Sequence, residues 1–374
     1  MTVTLLLVCL SLFAQAGDHS CLNSRAAGIA ASLNDGDLAA QVLLTGIDGK
    51  TSLVPAMRSL LANIPAGGII LFRYNLDSSK AIAKSLLLET STITAARTGI
   101  PPFMAVDHEG GLVNRFGAVA ERLPSAYSFW ELSQREGREA ALERAENLYR
   151  RSALEIHDLG INMVLGPVAE TLSDVNRLFL ETRSYGPDPE FTQAMASVYI
   201  KCMDSAGIAS VAKHFPGNSS ADPHSTVSVL NADKEALDEM VRPFAEIIGG
   251  MEVPALMVSH AMVPVIDSQK NSSLSKPVIE GWLRGELGFK GIVLADDYTM
   301  GAISVSGVSP AAAAVEALNA GVDMIMVWPK NITGVHAAIM EALLNGSLSR
   351  ERLLEAAGRI IAGKLKYGII TLSE

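Results

Sequence analysis

The stretch 208-IASVAKHFPG-217 is a short apolar run that ends in charged residues and a Pro-Gly break. A strand covered on both faces gives such a continuous run, whereas a strand with one solvated face alternates apolar and polar residues. The run therefore predicts a strand of a parallel sheet with polar groups at its carboxyl end.

Seven other apolar runs have the same character and are also predicted strands. They are 40–47, 67–75, 103–107, 162–168, 254–260, 291–297 and 323–328. Helical patterns between them cover 77–91, 134–160, 188–207, 233–250, 277–288, 309–321, 335–344 and 349–365. Eight strands alternating with about eight helices predict an α/β fold, a single (β/α)₈ barrel of the TIM type. A doubly wound sheet is the alternative, but no G-x-G-x-x-G follows an early strand.

The composition is that of an acidic globular chain. Its 374 residues are 49% hydrophobic, and the formal net charge is −10. Nucleic-acid binding requires a clustered basic face, so we expect no nucleic-acid partner. The sequence has no linker or repeat that would divide the domain. We expect a monomer.

The N-terminus resembles an export signal. The apolar run 5–13 is too short to span a bilayer, and an A-x-A pattern follows it at 14–16, although no basic residue precedes it. We predict a signal peptide over 1–16 and a barrel domain over 17–374, with its core at about 38–365. The protein would then be periplasmic or extracellular, and otherwise cytoplasmic, with no stable membrane span. Lipidation of Cys21 is a less favoured alternative.

The three cysteines, Cys9, Cys21 and Cys202, predict neither a disulfide framework nor a zinc site.

Polar residues cluster where the predicted strands end. Such ends are 73-RYN-75, 107-DHEGG-111, 213-KH-214, 259-SH-260 and 296-DD-297, and four of the seven histidines (His108, His214, His224, His260) lie at or just after them. In a (β/α)₈ barrel the carboxyl ends of the strands carry the chemistry. The pattern therefore predicts one site at this rim. Taken singly, each residue has a plainer interpretation as a turn or cap residue, including Glu109-Gly110-Gly111, and His157 and His336 are expected at the surface.

Several motifs together resemble a known family. They are 213-KHFPG-217 followed by Asp-x-His, 107-DHEGGLVNRF-116, 183-RSYGPDP-189, 257-MVSHAMVPVID-267 and 274-LSKPVIEGWLRGELGFKGIVLADDYTM-300. These residues resemble glycoside hydrolase family 3 in its β-N-acetylglucosaminidase (NagZ-type) branch, over about residues 38–365. The resemblance implies an exo-acting retaining enzyme without a metal or organic cofactor. It would remove GlcNAc from cell-wall fragments or chitin-type oligosaccharides, so a small carbohydrate is the expected partner.

The resemblance also implies the catalytic roles. Asp296 matches the nucleophile, and Asp297 beside it is expected to be structural. His224 matches the general acid/base, and Asp222 would orient its imidazole. Residues i and i+2 of an extended segment face the same side, and Pro223 favours an extended Asp222, so the two side chains can meet.

The sugar-binding residues implied by the resemblance are Asp107, Arg115, Arg183, Lys213 and His214. His260 and Asn75 either line the site or belong to a structural polar network. The sequence departs from the family pattern after Gly217, where the loop is about two residues shorter and contains Pro223 in place of Ser. Smaller departures are 72-FRYN-75 and His108.

Other functions remain open from the sequence. Within the family these are phosphorolysis, in which phosphate replaces water, and β-glucosidase activity. A metal-dependent barrel hydrolase is disfavoured because the first strand has no histidine. A sugar-binding protein without catalysis is disfavoured because Asp296 and His224 are both present. The sequon at Asn218 is expected to be incidental.

Overall fold

Eight parallel strands form a closed barrel in the computed structural model, which describes residues 21–221, 226–299 and 307–371. The strands are β1 (Leu43–Thr45), β2 (Gly68–Leu71), β3 (Phe103–Gly110), β4 (Met163–Leu165), β5 (Ala209–Phe215), β6 (Ala255–Val258), β7 (Ile292–Ala295) and β8 (Met324–Val327). They pair in chain order, β8 pairs with β1, and the ring is complete. The predicted (β/α)₈ fold is confirmed.

Helices surround this barrel. The described ones are 21–32, Asp35–Gln41, Pro55–Asn63, Arg73–Leu76, Lys80–Ala95, Ala126–Glu136, Arg138–Asp158, Arg177–Leu180, Pro189–Ser205, Lys234–Gly250, Pro310–Ala320, Pro329–Asn345 and Arg350–Lys366, with a 3₁₀ turn at Ser272–Leu274 and a π-helical segment at Pro277–Glu286. In the described chain, no helix is both long and apolar enough to cross a membrane.

The strands are buried on both faces, as their continuous apolar runs predict. Every residue of β1, β2, β4, β5, β6, β7 and β8 is buried. The strand side chains join one large hydrophobic core with the inner faces of the helices. Burial of apolar surface is therefore what holds the strands and helices together as one barrel.

The predicted strand boundaries at 40–47 and 67–75 are too wide. Residues 40–41 belong to the helix Asp35–Gln41, which Asn34 caps by accepting a hydrogen bond from the Asp37 amide. β2 ends at Leu71 because Asn75 Oδ1 accepts from the Phe72 amide and closes a short helical turn over Arg73–Leu76. A side chain that hydrogen-bonds to a nearby backbone group competes with the backbone hydrogen bonds that would continue the strand.

The predicted helix over 134–160 is two helices. It breaks at Gly137, which has a φ of +95° and separates Ala126–Glu136 from Arg138–Asp158. A left-handed φ is accessible to glycine at little cost.

Two other helices differ from the sequence prediction. The sequence pattern does not predict the helix Pro55–Asn63, and the helix predicted at 335–344 begins earlier, at Pro329.

Candidate active site

β3 places two carboxylates at the carboxyl-end rim of the barrel. Asp107 and Glu109 are two residues apart on an extended strand and share one side, whereas His108 between them faces the helices. His108 Nε2 lies 2.7 Å from Ser152 Oγ, on the helix Arg138–Asp158. His108 is therefore a packing residue between strand and helix and does not line the site.

Lys213 bridges the two carboxylates. Its Nζ lies 2.9 Å from Asp107 Oδ1 and 2.6 Å from Glu109 Oε1. The side chains of Lys213 and Glu109 are each 3% exposed. Charges this deeply buried are tolerated only when they are paired. The predicted sugar-binding residue Lys213 is thus held rigidly between two strand-end carboxylates.

Two arginines complete this charged cluster, which consists of Asp107, Glu109, Arg115, Arg183 and Lys213. Arg183 makes a bidentate pair with Glu109, at 2.7 and 2.9 Å. Arg115 Nη2 lies 3.0 Å from Asp107 Oδ2. A hairpin between β3 and Val113–Asn114 returns Arg115 to Asp107. Gly110 has a φ of +89°, and a Cβ there would lie 2.2 Å from the Pro124 carbonyl oxygen, so this hairpin requires glycine.

The cluster keeps its members charged. Burial by itself raises the pKa of Glu109, but Lys213 and Arg183 outweigh burial and hold that pKa well below its usual value. The pKa of Asp107 is also lowered, since Lys213 and Arg115 outweigh burial. Burial lowers the pKa of Lys213, whereas Asp107 and Glu109 reverse the effect and raise it. The cluster therefore presents fixed charges, which suit charge-assisted hydrogen bonds to hydroxyl groups.

His214 is oriented by a carboxylate that follows β4. Its Nδ1 lies 2.7 Å from Glu170 Oε1, and its Nε2 lies 3.5 Å from Arg183 Nη2. Glu170 Oε2 also accepts from the Asn218 amide at 2.7 Å. Because the Glu170 carboxylate accepts, His214 Nδ1 donates. Because the Arg183 guanidinium donates, His214 Nε2 accepts. Glu170 thus fixes both the ring of His214 and the first turn of the loop that follows β5.

Asp296 and Asp297 follow β7 and differ in their contacts. Asp296 is half-buried, and its Oδ1 accepts from the Asp297 amide at 2.8 Å. Asp297 accepts from the Thr299 hydroxyl at 2.7 Å and from Trp328 Nε1. The expectation that Asp297 is a structural carboxylate fits these contacts, and the Asp296 side chain has the greater freedom to react.

His260 lies close to Asp296. Its Nε2 lies 3.1 Å from the Asp297 carbonyl oxygen, and its Nδ1 lies 2.8 Å from Ser273 Oγ. Because a carbonyl only accepts, Nε2 carries the proton. Burial lowers the pKa of His260, partly opposed by Asp296 and Asp297, and His214 lowers it further. His260 is thus a neutral ring within the field of both Asp296 and His214.

Asn75 belongs to a backbone network in this structure. It is fully buried, and its Nδ2 donates to the carbonyl oxygens of Gly49 at 2.8 Å and Ile47 at 3.3 Å. Its Oδ1 accepts from the Phe72 amide. Of the two interpretations of Asn75, these contacts favour the structural one.

The predicted general acid/base His224 and the residue that would orient it, Asp222, lie outside the described residues. The predicted signal peptide 1–16 and Cys9 lie outside them as well. Cys21 and Cys202 are free thiols. Among residues 21–221, 226–299 and 307–371, no group of three or more His, Cys, Asp or Glu side chains could hold a metal ion.

The sequon asparagine Asn218 is 2% exposed, and its Nδ2 donates to Glu170 Oε1 at 3.1 Å. An amide nitrogen in this position is not available to carry a glycan.

Comparison with known proteins identifies the family. The model of the glycosyl hydrolase family 3 N-terminal domain matches residues 41–362. The chain belongs to glycosyl hydrolase family 3. The prediction of a glycoside hydrolase of this family is thereby confirmed.

Curated family 3 relatives include β-hexosaminidases. The chain is 32% identical to the β-hexosaminidase of Methylococcus capsulatus over 309 residues, which covers 81% of this chain and 87% of that one. It is 28% identical to β-hexosaminidase A of Pseudoalteromonas piscicida over 340 residues, covering 84% of this chain but only 56% of that relative.

A solved family 3 structure gives the same result. The β-N-acetylglucosaminidase from Paenibacillus sp. str. FPU-7 superposes with a TM-score of 0.84 at 29% identity, covering 92% of this chain and 64% of that one. The chain is thus similar to a part of this longer protein.

The sequence motifs do not predict the contacts of three residues at this rim: Glu109, Glu170 and Trp328. The turn interpretation applies to Gly110 and Gly111, whereas Glu109 forms ion pairs. A signal for Glu109 was present, because a buried lysine and a second arginine need more negative charge than Asp107 supplies. Glu170 had no such signal, since its partner His214 is distant in sequence.

Proposed function

We propose that this family 3 enzyme is an exo-acting retaining β-N-acetylglucosaminidase. It would release terminal β-linked GlcNAc from cell-wall muropeptide fragments or chitin-type oligosaccharides. The observation that carries the proposal is the buried Asp107–Lys213–Glu109 arrangement at the barrel rim where Asp296 also lies, in a chain related to β-hexosaminidases.

Four members of the charged cluster, held in place by Glu109, would bind the terminal sugar together with His214. Carboxylates, a lysine and arginines with fixed positions read the arrangement of hydroxyl groups through directional hydrogen bonds. Their mutual pairing means that they need little reorganisation when the sugar enters. We propose Asp107, Arg115, Arg183, Lys213 and His214 as this sugar site, with His260 at its edge near Asp296.

The proposed reaction has two steps. The Asp296 carboxylate attacks the anomeric carbon while His224 gives its proton to the glycosidic oxygen, so the C–O bond breaks and the leaving sugar departs as an alcohol. Neutral His224 then takes a proton from water, whose oxygen attacks the same carbon and releases Asp296. Two inversions give net retention. Asp222 would hold the ring of His224 and stabilise its charged form.

Export of the protein is also part of the proposal. It rests on the apolar run 5–13 and the A-x-A pattern at 14–16. N-terminal sequencing of the mature protein from culture fluid or periplasm tests it, and an intact Met1 there would contradict cleavage.

Turnover of 4-nitrophenyl β-N-acetylglucosaminide, with the β-glucoside for comparison, tests the activity. NMR of the first-formed sugar tests retention, and a phosphate series tests phosphorolysis. The proposal predicts preference for the N-acetylglucosaminide and first release of the β-anomer of GlcNAc. Release of sugar-1-phosphate, first release of the α-anomer, or preference for the glucoside would each contradict it.

A further inference from the structure

Three aromatic rings lie together at the carboxyl ends of β2 and β8. The ring centroids of Phe72 and Trp328 are 4.9 Å apart, and those of Phe72 and Tyr74 are 6.4 Å apart with planes only 3° from parallel. We call Phe72, Tyr74 and Trp328 the aromatic cluster. It is composed of residues in 72-FRYN-75 and at the end of the eighth strand that the proposed chemistry does not use.

The polar atoms of this cluster are already engaged. Trp328 Nε1 donates to Asp297 Oδ2, and the Tyr74 hydroxyl donates to the Ile47 carbonyl oxygen. These two bonds fix the Trp328 and Tyr74 rings, and Phe72 packs between them. Tyr74 remains 40% exposed, and Phe72 and Trp328 are half-buried. Tethered rings at an open rim form a preorganised apolar surface, which loses little side-chain entropy on binding.

The aromatic cluster adjoins the predicted nucleophile. Asp297, which accepts from Trp328, donates its own amide to Asp296 Oδ1 at 2.8 Å. Gly46, which follows β1, lies against the rings, since a Cβ there would be 3.6 Å from both Phe72 and Trp328. The cluster thus covers the rim at β8, β1 and β2, whereas the charged cluster lies at β3, β5 and the loop after β4.

We propose that the aromatic cluster binds the weakly polar face of a second pyranose ring, the one released as the leaving group. This inference rests on the proposed function. A terminal sugar is recognised through hydrogen bonds to its hydroxyl groups, and the charged cluster supplies the charged donors and acceptors for these bonds. The leaving sugar needs apolar contact area more than specific hydrogen bonds to its hydroxyl groups. Aromatic rings whose polar atoms are already hydrogen-bonded supply this contact area. The substrate is therefore an oligosaccharide with a sugar beyond the scissile bond.

Calorimetric binding to an Asp296→Asn background tests the subsite without requiring turnover. The ligands are N,N′-diacetylchitobiose, which has the second ring, and methyl β-N-acetylglucosaminide, which lacks it. The readout is the ratio of the two Kd values. Adding Tyr74→Ser should reduce the preference for the disaccharide by about fivefold to tenfold, the scale of one lost aromatic contact. Phe72→Leu, which keeps apolar volume, should reduce it in the same direction.

Tyr74→Phe separates the ring from its hydroxyl. The proposal predicts that this variant keeps the preference for the disaccharide within about twofold of the background protein, because the stacking face is intact. An unchanged ratio in both Tyr74→Ser and Phe72→Leu, an equal loss in Tyr74→Phe, or no binding of the disaccharide would overturn the subsite. Failure of the wild-type protein to release GlcNAc is a different result, which contradicts the proposed function.

Discussion

Lys213 Nζ lies 2.6 Å from Glu109 Oε1, in a pair whose side chains are each 3% exposed. Arg183 contacts the other side of the same carboxylate at 2.7 Å. One glutamate therefore holds two cations that would otherwise repel each other at the sugar site. The geometry of the proposed sugar site depends on this residue, which has no assigned contact with the reacting atoms.

Glu109→Gln should impair both stability and activity. It removes the carboxylate that Lys213 and Arg183 share, and breaking a buried pair costs about 3–5 kcal/mol. Displacement of Lys213 should reduce kcat/KM about a hundredfold. Thermal unfolding and turnover of the aryl N-acetylglucosaminide measure the two effects. Glu121→Gln, which breaks an exposed pair with Arg151, is the matched control, and an equal effect in both variants would contradict the assignment.

The pH dependence of the Glu109 contribution has a definite sign. Since its folded pKa is lowered, its stabilisation is present above the unfolded pKa of about 4.3 and is lost as the pH falls below that value. The difference in unfolding free energy between the wild type and Glu109→Gln should therefore shrink in acid.

Glu170→Gln should misorient His214. The carboxylate accepts from His214 Nδ1 at 2.7 Å and from the Asn218 amide at 2.7 Å, and an amide replaces one of these acceptors by a donor. We expect KM for the aryl N-acetylglucosaminide to rise about tenfold and its pH profile to change, because the acceptor that fixes the His214 proton is altered. Glu170→Asp keeps the charge and should recover part of the loss. Loss of thermal stability with unchanged KM and pH profile would show a structural role alone.

His108→Gln should make the fold less sensitive to acid. Burial lowers the pKa of His108 to about 4, although Glu155 acts in the opposite direction. Between the unfolded pKa of about 6.5 and the folded value, the unfolded chain binds more protons, so wild-type stability falls as the pH falls through this window. Glutamine can still bond Ser152 and does not titrate.

Melting temperatures of this variant at pH 4.5 and pH 7.5 check the prediction. The exposed His157, on the helix Arg138–Asp158, gives the control variant His157→Gln. A wild-type and a His108→Gln protein with the same pH dependence would contradict the account of His108.

Lys364→Met should stabilise the protein, most strongly at neutral and acidic pH. Lys364 is fully buried, its Nζ lies 2.9 Å from the neutral Gln41 Oε1, and burial lowers its pKa to about 7. Because the folded pKa lies below the unfolded one of about 10.4, wild-type stability rises with pH between these values. The gain from methionine should therefore be several kcal/mol near pH 6 and small near pH 10. Urea unfolding at both pH values measures it, with the exposed Lys201→Met as the control.

The barrel could be predicted from the sequence because its strands are buried on both faces. A continuous run such as 291–297 is typical of a strand in a covered parallel sheet, and eight such runs alternate with helical patterns. Strand ends were harder to predict. The Asn34 cap and the Asn75 turn are local hydrogen bonds that end an apolar run without changing its composition.

The site could be predicted only where its residues belong to strand-end motifs. Asp107, Lys213 and His214 lie in the carboxyl-terminal halves of β3 and β5, His260 follows β6, and a rim position was expected for each. Glu170 and Trp328 were not predicted, although Trp328 directly follows β8. Their roles depend on contacts between elements distant in sequence, such as Glu170 with His214 and Trp328 with Asp297.

Trapping the glycosyl-enzyme with a slow fluorinated N-acetylglucosaminide, followed by mass spectrometry of the digested protein, tests the central claim most directly. The account predicts one added sugar on the peptide that contains Asp296, and no labelling of Asp296→Ala, whose turnover should also be abolished. A label on another carboxylate, or substantial turnover by Asp296→Ala, would contradict it.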